Sequence, residues 1–135
     1  MTFPTMATAL PHHFLLAAFL LAATPALAEE TGKEMAARQT GMASWYGPGH
    51  DGRRTASGEL HQSRLPTAAH RRLPFGTLVR VTNLKSGSQV VVRINDRGPF
   101  VHGRVLDVSE RAARGLGMLG DGVARVSLEV IGRAD

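Results

Sequence analysis

The sequence lacks cysteine altogether, and it contains a single tryptophan and a single tyrosine in 135 residues. The absence of cysteine excludes disulfides and a thiol nucleophile, and it leaves the N-terminal apolar run without a site for lipid attachment. Small secreted domains of animals usually depend on several disulfides, so this composition is typical of a bacterial domain stabilised by packing alone. Aromatic residues are scarce and no nucleic-acid-binding motif is recognisable, which argues against nucleic-acid binding.

Charged side chains are absent from residues 1–28. This segment contains an unbroken apolar run, Phe14 to Ala23, which has the length of the central part of a secretory signal and cannot span a bilayer core of about 30 Å. Ala26-Leu27-Ala28 supplies a small-residue cleavage pattern. We therefore expect residues 1–28 to be a secretory signal peptide, residues 29–39 a flexible linker, and residues 40–132 one folded domain.

The formal net charge is +5 at neutral pH. An exported basic protein meets anionic cell-wall polymers rather than nucleic acid. The pairs Arg53-Arg54 and Arg71-Arg72 belong either to a cationic groove or to an ordinary solvated surface. We expect a soluble monomer, periplasmic or secreted, that binds no nucleic acid and keeps no stable membrane anchor after signal cleavage.

The pattern after residue 40 predicts a mostly β domain with one short helix, because short β-branched segments alternate with glycine-rich turns. The predicted strands are residues 41–47, 77–83, 89–95, 104–108 and 123–131. Val90 to Val92 are expected to be buried. Ser109 is a good helix N-cap, Glu110 lies in the first turn, and Gly117 is placed to end the helix.

Four side chains are candidates for acid–base chemistry. Glu59 follows a loop of small residues, His70 ends a short apolar segment, and Asp96 stands where an apolar strand meets an Arg-Gly-Pro turn. Asp107 lies inside an apolar strand, where a carboxylate is costly unless it is paired. Each also has a structural interpretation. Asp96 is then a turn former and His70 a structural donor. Asp107 caps the following helix or pairs with an arginine, and Glu59 is exposed without a role.

A metal site is a further alternative, built from histidine and aspartate side chains. The candidate ligands are His50, Asp51, His61, His70 and His102. No pair of them has i,i+4 spacing on a helix, and no metal-ligand spacing is recognisable. We therefore expect no metal and no other cofactor.

Five segments carry a resemblance to a known family. They are residues 41–47 (GMASWYG), 52–59 (GRRTASGE), 67–77 (TAAHRRLPFGT), 91–100 (VVRINDRGPF) and 103–109 (GRVLDVS). Together and in this order they resemble the rare lipoprotein A family, over essentially residues 41–131. The resemblance implies a six-stranded double-psi β-barrel, the fold of plant expansins and barwin-like proteins.

The resemblance also implies an activity. The family's best-studied members are endolytic peptidoglycan lytic transglycosylases, which cut the β-1,4 bond between N-acetylmuramic acid and N-acetylglucosamine and leave a 1,6-anhydro end. The family's functional residues correspond to Glu59, His70 and Asp96. We expect Asp96 to be the general acid and base, with a pKa raised by desolvation, and the other two to orient the sugar.

Further residues are interpreted as supports of this site. Trp45 and Tyr46 are candidate sugar-stacking platforms, or else part of the core. Arg97 is a candidate substrate-binding residue. Asp107 is expected to be a buried structural carboxylate, paired with Arg93 or Arg97.

The sequence departs from the family pattern in three respects. Many members carry a tyrosine where this chain has His61, which puts one substrate contact in doubt. The lipid-accepting cysteine and the C-terminal domain that binds denuded glycan are not found here, so septal targeting is not carried over. The implied barrel also supports a second hypothesis, a non-catalytic, expansin-like module that binds or loosens the wall. The presence of Glu59, His70 and Asp96 together favours the enzyme, with peptidoglycan glycan strands as its substrate.

Overall fold

The structure is a computed structural model that describes Thr2 and residues 38–134. The expected signal peptide, apart from Thr2, and residues 29–37 of the expected linker lie outside the described residues. The strands of the described chain are β1 (Arg38–Trp45), β2 (Thr67–Ala69), β3 (Thr77–Asn83), β4 (Gln89–Asp96), β5 (Arg104–Val108) and β6 (Val123–Arg133). Helix α1 (Glu110–Gly115) lies between β5 and β6.

The six strands close into a barrel with the order β1-β5-β2-β4-β3-β6. Strands β1 and β5 are parallel, as are β2 and β4, and the remaining neighbours are antiparallel. Closure pairs every strand on both sides, which leaves no open sheet edge for aggregation. The expected six-stranded barrel with one short helix is therefore present.

The barrel interior is filled by small and branched side chains. Alternate residues of each strand point inward. Apart from Asn95, the largest fully buried side chains of the strands are aliphatic: Val79, Val81, Val92, Ile94, Leu106, Val108 and Val126. Helix α1 adds Ala112 and Ala113 to this core. Its N-cap is Ser109, as predicted, and Gly117 follows the C-cap with a positive φ of 67°.

Three differences from the sequence prediction go beyond shifts of one or two residues at the ends of strands. Strand β1 begins at Arg38 rather than after residue 40, because Arg38 and Gln39 pair with β6. Strand β2 was not predicted. Val91 is 41% exposed, so the expected burial of all three valines in 90–92 is wrong at this position. Its neighbour Val92 is fully buried, as alternation in the antiparallel β3–β4 pair requires.

Candidate active site

The end of β4 is displaced by a β-bulge that directs Asp96. The register of β2 and β4 shifts so that Ala69 pairs with Asp96, and such a bulge re-aims the side chains that follow it. Ala69 also pairs with Asp107 of β5, which pairs with Ser44 of β1. Side chains of directly paired residues share a face of the sheet. Asp96 and Asp107 therefore lie two strands apart on the outer face, while Ile94, two residues before Asp96, is fully buried.

Three donors hold the carboxylate of Asp96. The hydroxyl of Tyr46 donates to Oδ2 at 2.9 Å. The backbone N–H groups of Ala56 and Arg97 donate to Oδ1 at 2.9 and 2.8 Å. Burial, reinforced by the charge of Asp96, raises the pKa of Tyr46 well above its ordinary value, so its hydroxyl stays protonated and remains a donor. The carboxylate is thus fixed in orientation, and it has acceptor capacity left for a substrate hydroxyl.

Two imidazole rings cover Tyr46. The ring of His61 lies 4.6 Å from that of Tyr46 between centroids, and the ring of His50 lies at 5.4 Å. His61 is only 4% exposed, and burial lowers its pKa. The residue that replaces the family's tyrosine therefore packs beneath the site. Trp45, the other expected platform, packs against the hydrophobic core.

Glu59 is held in a bidentate ion pair with Arg93. The two N–O distances are 2.7 and 2.6 Å, and about a third of each side chain is exposed. The hydrogen bonds from Arg93 lower the pKa of Glu59, so this carboxylate is ionised at neutral pH. The pair joins the loop of residues 46–66 to β4, the same strand that presents Asp96.

The side chain of His70 is buried and fully hydrogen-bonded. Its Nδ1 accepts from the backbone N–H groups of Arg72 and Leu73, both at 3.1 Å. An accepting Nδ1 leaves the proton on Nε2, which therefore donates to Oε1 of Gln39 at 2.9 Å. Burial, aided by the surrounding arginines, lowers the pKa of His70. The imidazole is therefore neutral. The hydrogen bond between His70 and Asp96 is made by the backbone, since the His70 N–H donates to the Asp96 carbonyl at 3.2 Å.

The imidazole of His70 lies in a cationic groove rather than beside Glu59. The groove has a volume of about 460 Å³, and its lining includes Arg38, Gln39, Arg71 and Arg72. Of the two interpretations of the basic pairs, the structure favours a groove for Arg71-Arg72, since both arginines line it.

Arg97 fastens two segments to each other. Its Nη1 donates to the carbonyls of Leu73 at 2.9 Å and His70 at 3.3 Å. Its guanidinium carbon lies 4.0 Å above the ring centroid of Phe75, a cation–π contact. Arg97 thus connects the turn after β4 to the segment after β2.

Asp107 is hydrogen-bonded by a hydroxyl. Ser44 Oγ donates to Asp107 Oδ1 at 3.2 Å. The expected pairing with Arg93 or Arg97 is wrong, because Arg93 is engaged by Glu59 and Arg97 by backbone carbonyls. Burial raises the pKa of Asp107. Burial therefore favours the protonated form of Asp107.

Sequence reasoning missed the partners of these residues. Arg93 lies between two buried residues of β4, so the alternation of side chains along the strand predicts that it faces outward. An outward-facing arginine at this position could have suggested the contact with the loop of residues 46–66. The sequence pattern places Gln39 in the linker and contains no signal for the Ser44 contact. Among residues 38–134, no group of three or more His, Cys, Asp or Glu is arranged to hold a metal ion. None of the described helices is long and apolar enough to cross a membrane.

Comparison with known proteins places this site in a family. A family profile described as lytic transglycolase matches residues 38–128. A probable endolytic peptidoglycan transglycosylase RlpA from Synechocystis is 60% identical over 91 residues, which are 67% of this chain and 28% of that protein. The endolytic peptidoglycan transglycosylase RlpA of Campylobacter jejuni is 52% identical over 92 residues, which are 68% of this chain and 34% of that protein. The chain thus spans about a third or less of these curated relatives.

Solved structures share the barrel. An expansin from Clavibacter michiganensis superimposes with a TM-score of 0.56 at 25% identity, covering 73% of this chain and 52% of the expansin. A Streptomyces papain inhibitor gives a TM-score of 0.56 at 19% identity, covering 70% of this chain and 94% of the inhibitor. These likenesses concern the fold, and with the profile match they identify the barrel as the double-psi type. The chain belongs to the lytic transglycolase family, and its resemblance to rare lipoprotein A proteins is confirmed.

Proposed function

We propose that this domain is an endolytic peptidoglycan lytic transglycosylase that cleaves the MurNAc-β-1,4-GlcNAc bond of glycan strands and leaves 1,6-anhydromuramic ends. The observation that carries the proposal is the Asp96 carboxylate, oriented by three donors on the outer face of the barrel. The relatives that match this domain are named for the same reaction.

The reaction needs one proton donor and one proton acceptor. An acid protonates the glycosidic oxygen as its bond to C1 breaks. The C6 hydroxyl of the muramic residue then bonds to C1 and gives its proton to the carboxylate formed in the first step. The proton lost by the acid is thereby returned, and no water is consumed. One suitably placed carboxyl group is sufficient for both steps.

We assign this role to Asp96, because its motif matches the family and its orientation is fixed. Tyr46 orients the carboxylate from one side, and the loop of Glu59 orients it from the other through the Ala56 N–H. Glu59 is ionised and paired, so it acts as a positioning residue rather than as an acid. His70 shapes the adjoining groove.

Asp107 is the competing candidate for the acid. It lies on the same face, two strands away, and burial raises its pKa. Variants of the two residues distinguish the assignments, since amide replacement removes the proton transfer and keeps the shape.

The first test is digestion of purified, peptide-free glycan strands, followed by mass spectrometry of the ends. The wild-type protein should release 1,6-anhydromuramic ends. Asp96→Asn should lower the rate at least about a hundredfold, the lower range for general acid–base catalysis. Asp121→Asn changes an exposed turn residue and should cut like the wild type. Loss of activity in Asp107→Asn with full activity in Asp96→Asn would move the acid to Asp107.

The alternative function is a non-catalytic wall-binding module. It is supported by the shared fold of the expansins and by the ion pair that occupies Glu59. Binding of glycan by the wild type without any anhydro product would establish it. Under either function we propose that the protein acts outside the cytoplasm as a soluble monomer.

A further inference from the structure

Phe100 is the most exposed large hydrophobic residue in the described part of the chain. It is 80% exposed, and its neighbour Val101 is 59% exposed. A ring left in water forgoes the free energy that burial provides. The two residues lie in the turn of residues 97–103, directly after the proposed catalytic strand end.

Hydrogen bonds at both ends hold the turn of residues 97–103 in place, and this fixes the backbone that carries Phe100. Its first residue, Arg97, donates its backbone N–H to Asp96 at 2.8 Å. At its other end, Arg104 N–H donates to the Val101 carbonyl at 3.1 Å, and Met42 N–H donates to the Gly103 carbonyl at 3.2 Å.

The ring lies close to a glycine of its own turn. A Cβ added at Gly98 would lie 3.6 Å from Cε2 of Phe100, so one edge of the ring borders the space that a side chain at position 98 would fill. Gly98 has φ +122°, a conformation that L side chains rarely adopt, and glycine is therefore needed to shape this support.

Phe100 is also close to the proposed catalytic carboxylate. It lies four positions after Asp96 in the sequence, and a fully extended chain of that length spans at most about 14 Å between Cα atoms. A glycan strand lying across Asp96 extends over several sugar rings in each direction. The phenylalanine ring is therefore within reach of a sugar near the one that reacts.

The other Phe, Tyr and Trp rings of residues 38–134 are covered by neighbouring side chains. Trp45 and Phe75 pack against the core, and Phe75 also lies beneath Arg97. Tyr46 is flanked by two imidazoles and donates its hydroxyl to Asp96. Phe100 is the aromatic residue of this region that offers an open face.

We infer that Phe100 is a sugar-stacking platform that binds one pyranose ring of a β-1,4-linked amino-sugar strand next to Asp96. The C–H groups on a pyranose face complement the electron-rich face of the ring. The exposed apolar surface of Phe100 and Val101 is far smaller than the roughly 800 Å² that each partner contributes to a stable protein interface. This size favours a sugar over a protein partner. The inference rests on the proposed function for the identity of the strand.

The test is the affinity of the purified protein for peptide-free glycan strands, measured apart from cleavage. Phe100→Ala should weaken binding about tenfold, the size of a good aromatic contact. Phe100→Trp should retain the wild-type affinity. Phe100→Leu keeps an apolar side chain without a ring and should bind as weakly as Phe100→Ala. The matched control is Leu84→Ala, which truncates a 49% exposed residue in the β3–β4 turn, before the start of β4, and should bind like the wild type.

Three results would overturn the platform: unchanged binding by Phe100→Ala, full binding by Phe100→Leu, or no binding of glycan by the wild type. Full binding by Phe100→Leu would indicate simple apolar contact instead of stacking. Unfolding is monitored by circular dichroism, and an exposed residue should not alter it. The proposed function fails separately, if the wild type binds glycan and yields no anhydro ends.

Discussion

Individual carboxyl groups on this barrel differ according to their partners. Glu59 faces a guanidinium, which donates two short hydrogen bonds and lowers its pKa. Asp107 receives one hydrogen bond from the Ser44 hydroxyl, and burial raises its pKa. A raised carboxyl pKa means that the charged form is less stable in the folded protein than in the unfolded chain. Asp107 therefore reduces the stability of the fold at neutral pH.

Asp107→Asn should accordingly stabilise the protein at pH 7. The amide has the same shape, its oxygen still accepts from Ser44, and it carries no charge to desolvate. We expect the free energy of unfolding to rise by on the order of 1 kcal/mol, the usual size of a single-residue effect. Urea unfolding at pH 7 measures this change. A loss of stability would instead support the structural role that the sequence suggested for Asp107.

The residues of the candidate site could be named from the sequence, but their contacts could not. Asp96, Glu59 and His70 were recognisable from their motifs. The Gln39 partner of His70 was not, because it lies 31 positions away in a segment that looks like a linker. Long-range pairs of this kind follow from barrel closure, which local patterns do not encode.

At the scale of elements, the strands differ in how visible they are in sequence. Residues 77–83 and 104–108 were predicted with the observed bounds, because β-branched residues and flanking glycines mark them. Strand β2 was invisible because its three residues, Thr67–Ala69, are too few for a periodic pattern. It forms because β4 and β5 both pair with it.

The N-cap of α1 also secures β2, which makes it a sensitive point. Ser109 is fully buried, and its Oγ accepts from the Ala112 N–H at 3.3 Å. The same oxygen accepts from the Thr67 N–H at 3.3 Å and donates to the Leu65 carbonyl at 2.6 Å. The hydroxyl therefore joins the start of the helix to the start of β2.

Ser109→Ala should lower the free energy of unfolding by about 2 kcal/mol, the upper end for loss of an N-cap, because buried groups also lose their partner. Thermal unfolding measures this loss, which corresponds to a fall of about 4–8 °C per kcal/mol in a domain of this size. The control is Ser86→Ala in the exposed β3–β4 turn, which should change stability by less than about 0.5 kcal/mol. Equal effects of the two substitutions would show that the helix–strand junction has no special role.

At the scale of the whole molecule, two buried histidines attach the loops to the barrel. His61 packs against Tyr46 within the loop of residues 46–66, and Tyr46 joins that loop to β4 through its hydroxyl bond to Asp96. His70 joins the segment after β2 to β1 through Gln39. Burial lowers the pKa of both below the ordinary value of 6.5. Both therefore fold in the neutral form, and both loops depend on that form.

This arrangement predicts a fold that weakens on acidification. As the pH falls below 6.5, the unfolded chain binds protons at His61 and His70 before the folded protein does. The contribution of these two histidines to the free energy of unfolding is therefore fully present above pH 6.5 and is lost as the pH falls below it. Each histidine contributes at most about 1.4 kcal/mol per pH unit. Urea unfolding between pH 7.5 and 5.5 should show this slope.

His70→Asn separates the contribution of one histidine, since asparagine does not titrate and offers an acceptor to the same N–H groups. The variant should be less stable at pH 7.5 and should lose less stability on acidification than the wild type. The exposed His102→Asn is the control and should keep the wild-type slope. Asp107 contributes with the opposite sign, but equally in all three proteins. If stability depends on pH equally in His70→Asn and the wild type, the neutral His70 imidazole is not what joins the segment after β2 to β1.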